Sequence, residues 1–217
     1  MLGDLLPASV AVAERFDDSA DVVLFPDEER AIARAVPKRR NEFATARLCA
    51  RQALAELGVP PVPILPGLRG APGWPVGIVG SLTHCAGYRA AAVANATSVA
   101  ALGIDAEPNA GLPDDVANLV ALPIELDRLA ELAATDRRVC WDRLLFSAKE
   151  AVYKAWFPLA QRWLDFHEAD VTFERDGRFT ARLLVPGPRL GDRDLTGFDG
   201  RWLAANGLVL SAVAVPA

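Results

Sequence analysis

A single stretch, Trp141 to Leu159 (WDRLLFSAKEAVYKAWFPL), constrains the fold of this 217-residue chain most tightly. At about 100° per residue, Leu144, Leu145, Ala148, Ala151, Val152, Ala155 and Trp156 share one arc of a helix. Lys149, Glu150, Tyr153 and Lys154 fall on the other arc, so the helix has a core face and a chemical face. Alanine and leucine supply the propensity. Pro158 is expected to end the helix, because proline lacks the backbone donor and disfavours helical geometry at Phe157. Glu150 and Lys154 stand one turn apart, and taken alone such a pair is a solvated ion pair worth roughly a few tenths of a kcal/mol.

A second carboxylate cluster weighs against that bland reading. In Val99 to Pro108 (VAALGIDAEP), strand alternation points Leu102, Ile104 and Ala106 one way and Asp105 and Glu107 the other. Like charges side by side on a strand need compensation, either from exposure at a strand end or from a cation. Magnesium takes a few carboxylates in octahedral geometry and leaves its other positions to water and phosphate, so Asp105, Glu107 and Glu150 would suit it. Taken alone, an Asp-x-Glu strand end marks a chain leaving the core at least as readily as a metal.

Just over half of the residues are apolar, enough for a sizeable core in one large domain or two small ones in close contact. The longest apolar runs fall well short of the roughly 20 residues that span a bilayer, and the N-terminus lacks a signal pattern. A cytoplasmic protein is expected. Cys49, Cys85 and Cys140 are odd in number and widely spaced, which argues against disulfides and zinc. A net charge of −5 leaves an anionic partner to a local basic patch, with neither nucleic acid nor membrane as partner.

Along the chain, Met1 to Pro26 is mixed, with Val22 to Phe25 as its only strand-like run, and a short helix starts at Asp27 to Glu29. A longer helix is expected over Lys38 to Leu57, closed by Gly58, with Lys38, Arg39, Arg40, Arg47 and Arg51 on its outer side. That basic face is either solvated or a phosphate site suited to arginine's planar fork. Pro60 to Pro75, with six prolines and three glycines, is a shaped loop carrying Arg69 and Trp74. Val76 to Ser81 and Tyr88 to Ala94 read as strands around a turn at Thr83 to Gly87, which holds His84, one of two histidines. Pro113 to Ala134 reads as two short helices divided at Pro123. Asp176-Gly177 and Asn206-Gly207 lie between strand-like runs, the strongest short hairpin signals, so the C-terminal third is antiparallel sheet.

The phrases GSLTHCAGY (Gly80 to Tyr88), LGIDAEP (Leu102 to Pro108) and FSAKEAVYKAWFP (Phe146 to Pro158), in that order, resemble the surfactin-type 4'-phosphopantetheinyl transferases. KRRNEFATARLCARQAL (Lys38 to Leu54) followed by GAPGWPVGIVGSLTHC is similar to their enterobactin-synthase-type and actinobacterial branch. The resemblance implies an α+β fold: a pseudo-twofold pair of α/β halves, approximately 1–100 and 101–217, each a long helix on an antiparallel sheet, with coenzyme A in the cleft between them. It implies transfer of the phosphopantetheine arm to a serine of acyl or peptidyl carrier proteins of polyketide, fatty-acid or nonribosomal peptide synthases, siderophore pathways included, by a monomeric enzyme. By matching motif, Asp105, Glu107 and Glu150 become ligands of Mg2+, for which Mn2+ could substitute. Lys149 and Lys154 become phosphate contacts, Thr83 and His84 touch the phosphates, and Arg39 and Arg47 hold the nucleotide end. Some relatives carry a lysine where this chain has Pro66, and Arg69 is the candidate to replace it.

The residues themselves lead close to the same chemistry. Phosphoryl transfer needs positioning, charge neutralisation and a proton acceptor, and Glu150, between the metal set and Lys154, is the natural acceptor. The absence of a Gly-rich phosphate loop argues against a nucleotide kinase. Two rivals stand beside this reading: a non-catalytic module that binds carriers or nucleotides, and a magnesium-dependent hydrolase of the coenzyme A pyrophosphate. Carrier docking is expected on the segment between Asp114 and Arg138, through Leu129, Leu132, Arg137 and Arg138.

Overall fold

The computed structural model describes residues 1–18 and 22–217, apart from the side chain of Asp114, so part of the Met1 to Pro26 stretch lies outside the described residues. The first of two main sheets is antiparallel, formed by β1 (Val10–Arg15), β2 (Ile78–Cys85) and β3 (Tyr88–Asn95) in the order β1-β3-β2. After the short helix α1 (Pro26–Ala31), the long helix α2 (Pro37–Glu56) covers one face of this sheet. Cys49, Ala50, Ala53 and Leu54 pack on Ala11, Ala91, Val93 and Ile64. Small side chains on both surfaces let helix and sheet approach closely.

The second sheet begins with β4 (Val99–Pro108). After α3 (Asp114–Val120), α4 (Pro123–Thr135) and α5 (Trp141–Ala160) come β5 (Ala169–Phe173), β6 (Arg178–Leu183), the two-residue strands β7 (Arg189–Leu190) and β8 (Arg193–Asp194), β9 (Gly197–Ala205) and β10 (Leu208–Pro216). Its order is β4-β10-β9-β6-β5, antiparallel throughout, while β7 and β8 form a separate two-stranded pair. The whole expected stripe of α5, from Leu144 to Trp156, is buried against this sheet. Gly103 on β4 makes the close crossing possible: a Cβ there would lie 1.8 Å from Ala151 O and 2.8 Å from Ala155 N. Asn206 and Gly207 both have positive φ, 53° and 75°, the conformation a two-residue hairpin turn requires.

The sheets meet edge to edge, β2 beside β4. Ile104 N donates to Ser81 Oγ at 3.1 Å and Ala106 N to Thr83 Oγ1 at 3.0 Å, so hydroxyls on β2 satisfy the outward donors of the β4 edge. Tyr88, Ala90 and Ala92 from the first sheet and Leu102, Ile104 and Leu210 from the second bury a shared core there.

Four expectations are corrected. Val22 to Phe25 is irregular, and the N-terminal strand is β1, whose Val-Ala alternation pairs with the alanines of β3. Thr83 and His84 belong to β2, and the turn shrinks to Ala86 and Gly87, where Gly87 has φ 73°. Pro158 does not end α5. In the last turn proline forfeits a single hydrogen bond, and the helix stops at Gln161, which is left-handed with φ 52°. The strand before Asn206 starts at Gly197, earlier than the expected Arg201. Among the described residues, no helix is long and apolar enough to cross a membrane.

Candidate functional site at the seam

The carboxylates converge where β4, β2 and α5 meet. Asp105 is 5% exposed; its Oδ1 accepts from Lys154 Nζ at 2.8 Å and from Thr83 Oγ1 at 3.3 Å. Lys154 also donates to Ile104 O at 3.0 Å, which ties the chemical face of α5 to the β4 backbone. Asp105 Oδ2 is buried and meets no donor among the described residues. Glu107 pairs with Arg143 at 3.1 Å, and Arg143 also holds Ala110 O and Gly111 O in the loop leaving β4. Arg143 escaped the sequence reading, although it lies two helical turns before Glu150 and therefore on nearly the same face.

Burial pushes the Glu150 carboxyl above the ordinary range; Lys154 opposes this and Asp105 adds to it. Glu107 is raised as well, by burial first and Asp105 next, against the pull of Arg143. Glu107 and Glu150, each burdened by Asp105, form with that residue and its orphaned buried oxygen a donor set whose chemistry suits a hard divalent cation. Among the described residues no three such side chains are gathered tightly enough to hold a metal as they stand, since Arg143 and Lys154 supply the positive charge.

A basic cluster flanks the seam on the first sheet. Arg39 Nη1 lies 2.6 Å from His84 Nε2. A guanidinium has no acceptor, so the arginine donates and His84 is neutral with its proton on Nδ1. Enclosure, then the Arg39 charge, lowers the imidazole below its usual value. Arg47 is nearly buried, donates to Ile64 O at 3.1 Å and stacks on Phe43 at 3.6 Å. Desolvation pushes it down to about 10, with Arg39 and Arg51 adding repulsion that Glu28 offsets in part. An anion bound here would relieve that strain. Arg40 and Arg51 are instead occupied by Glu29 and Glu28.

Two expected roles change, those of Thr83 and Lys149. Thr83 is 2% exposed, and its hydroxyl is spent on Asp105 and Ala106 N, so it orients the carboxylate and does not face a phosphate. Lys149 is buried with every donor engaged, by Glu125 at 2.7 Å, Val120 O at 2.9 Å and Phe166 O at 2.6 Å, and contacts no phosphate from there. Arg69, in a left-handed conformation at φ 54°, lies 5.2 Å above the Trp163 ring beside α5. Trp163 packs on Tyr153 at 4.8 Å, and with Leu164 and Phe166 these rings line a narrow, mostly apolar slot next to Glu150.

The raised carboxyls carry a testable sign. Above the ordinary glutamate value of 4.5, the native state binds more protons at Glu107 and Glu150 than the unfolded chain does. Their contribution to stability is therefore lost as pH rises through the folded values. Glu150→Gln is expected to melt like wild type at about pH 4 and above it at about pH 7 in chelator. A difference that does not vary with pH would contradict this.

Comparisons with known proteins agree with the geometry. Residues 27–94 match a family model described as the 4'-phosphopantetheinyl transferase N-terminal domain, and residues 101–202 match the 4'-phosphopantetheinyl transferase superfamily. The chain is 58% identical to 4'-phosphopantetheinyl transferase Svp of Streptomyces mobaraensis, over 100% of this chain and 90% of the relative. It is 52% identical to Npt of Nocardia iowensis, over 99% of both chains. PptT of Mycobacterium tuberculosis is 50% identical, over 98% of this chain and 97% of its own length, and both of these carry the same transferase name.

Proposed function

This chain belongs to the 4'-phosphopantetheinyl transferase superfamily, and we propose that its seam moves the 4'-phosphopantetheine arm of coenzyme A onto a serine of acyl or peptidyl carrier proteins. The observation that carries the mechanism is the buried Asp105 carboxylate, held by Lys154 beside Glu150 and flanked by the Arg39–His84–Arg47 cluster. The serine oxygen bonds to the phosphorus that bears pantetheine, and the bond from that phosphorus to the bridging oxygen breaks. Adenosine 3',5'-bisphosphate leaves. Glu150, whose carboxyl is raised above the ordinary range by burial, takes the serine proton. Lys154 faces the pyrophosphate, and Arg39, Arg47 and His84 hold the nucleotide phosphates. Asp105, Glu107 and Glu150 would hold Mg2+, or Mn2+ in its place, which when bound neutralises charge on the pyrophosphate.

Carrier docking is relocated within its expected segment. Leu129 is buried and Leu132 packs on the core, and Arg138 is paired with Asp136. The exposed apolar side chains are Leu119 at the end of α3 and Ile124 at the start of α4, 67% and 55% exposed. A buried aliphatic side chain contributes about 1.5–3 kcal/mol, at least about tenfold in affinity. Leu119→Ser with Ile124→Ser should raise the carrier KM at least about tenfold and leave that for coenzyme A within about twofold. An unchanged carrier KM would remove this surface.

Product analysis with and without carrier separates the readings. Bisphosphate release that requires an apo carrier is expected. Release without carrier would indicate the hydrolase, and coenzyme A binding with no release at all would indicate a binding module.

A further inference from the structure

Lys149 has no task in the proposed transfer, yet it precedes Glu150 directly and is 3% exposed. Its partner Glu125 is 1% exposed and also accepts from Leu122 N at 2.7 Å and from Val171 N at 2.7 Å. The pair thus pins the end of α3, the start of α4, the turn at Phe166 and β5 onto one turn of α5. Desolvation lowers the lysine, with Glu125 opposing. Such a pair contributes little net stability, because the cost of burying two charges offsets their attraction, and geometric specificity is its better-attested use. What it fixes here is telling: Phe166 walls the slot beside Glu150, and Val120 and Leu122 lie between the exposed Leu119 and Ile124.

The geometry points to Lys149 as a positioning residue of the transfer reaction: through Glu125 it holds the slot wall and the carrier-facing segment in register with the helix turn that carries Glu150. The inference rests on the transferase reading above. Misplacement by about 1 Å near reacting groups costs on the order of a hundredfold, so a loosened clamp should register in turnover more than in stability.

Two experiments test it. The chain has three lysines, Lys38, Lys149 and Lys154, so reductive methylation of the wild-type protein is resolved residue by residue by peptide mass. Lys149 should remain unmodified with or without desulfo-coenzyme A, while Lys154 is modified without it. Modification of Lys149 that the analogue suppresses would make it a phosphate ligand and overturn the proposal. In the second, Lys149→Met is paired with the double variant Glu125→Gln/Lys149→Met, which removes both buried charges, whereas the single change leaves an unpaired carboxylate. Below both melting transitions, kcat/KM for the carrier should fall at least about tenfold while the Kd for adenosine 3',5'-bisphosphate stays within about twofold. A folded double variant with wild-type kcat/KM, or one that loses bisphosphate affinity in parallel, would sink the idea. A wild-type protein inactive on every carrier would defeat the transferase reading and leave the labelling result standing.

Discussion

Asp105→Ala is expected to lower turnover at least about a hundredfold, comparable to losing one preorganised charge-stabilising group, while the protein stays folded. The carboxylate contacts Lys154 at 2.8 Å and Thr83 at 3.3 Å, and its second oxygen is buried with no donor among the described residues. Removing it abolishes a desolvated charge and leaves Lys154, whose side chain is 27% exposed, free to regain water. Melting in chelator should therefore change by only a few degrees. With magnesium and coenzyme A, wild type should rise through ligand linkage and the variant should rise much less. A strongly lowered melting temperature in chelator would make Asp105 a structural residue.

Gly103→Ala should be among the most damaging single changes to stability. The added methyl would stand 1.8 Å from Ala151 O and 2.8 Å from Ala155 N, both backbone atoms of α5 that no rotamer change can move. The helix must lift from β4 along its most buried turn, which carries Ala151, Val152 and Ala155. Overpacking costs about 1–3 kcal/mol where side chains yield, and a backbone collision belongs at or above the top of that range. About 3 kcal/mol in a chain of this size corresponds to roughly 6–12 °C in Tm. The same lift separates Glu150 and Lys154 from Asp105, so activity should fall in the protein that remains folded. A variant melting with wild type would show that α5 shifts at no cost.

Periodicity explains what the sequence disclosed. The α5 stripe and the alternation of β4 are local patterns, and they put Asp105 and Glu107 on one strand face and Glu150 and Lys154 on one helix face. Lys149 was misread because a helical wheel gives direction without depth: its long side chain reaches a carboxylate 24 residues earlier in the chain, and nothing local to α5 announces Glu125. Thr83 was misread because its strand was taken for a turn; only the pairing of His84 with Arg89 and of Cys85 with Tyr88 shows that β2 continues. Arg69 depends on a left-handed backbone inside a proline-rich loop, which no propensity anticipates. The alanines of β1 carry little strand signal, and the segment is a strand because it pairs with β3 and packs under α2.

The most direct measurement is the intact mass of an apo carrier protein, and of the same carrier with its serine replaced by alanine, after incubation with this enzyme, coenzyme A and magnesium. One phosphopantetheine should be added to the first carrier, none to the second, and almost none to either when Asp105→Ala replaces the wild-type enzyme. An unchanged mass on every apo carrier, or an equal gain with Asp105→Ala, would contradict the assignment of transfer to this seam.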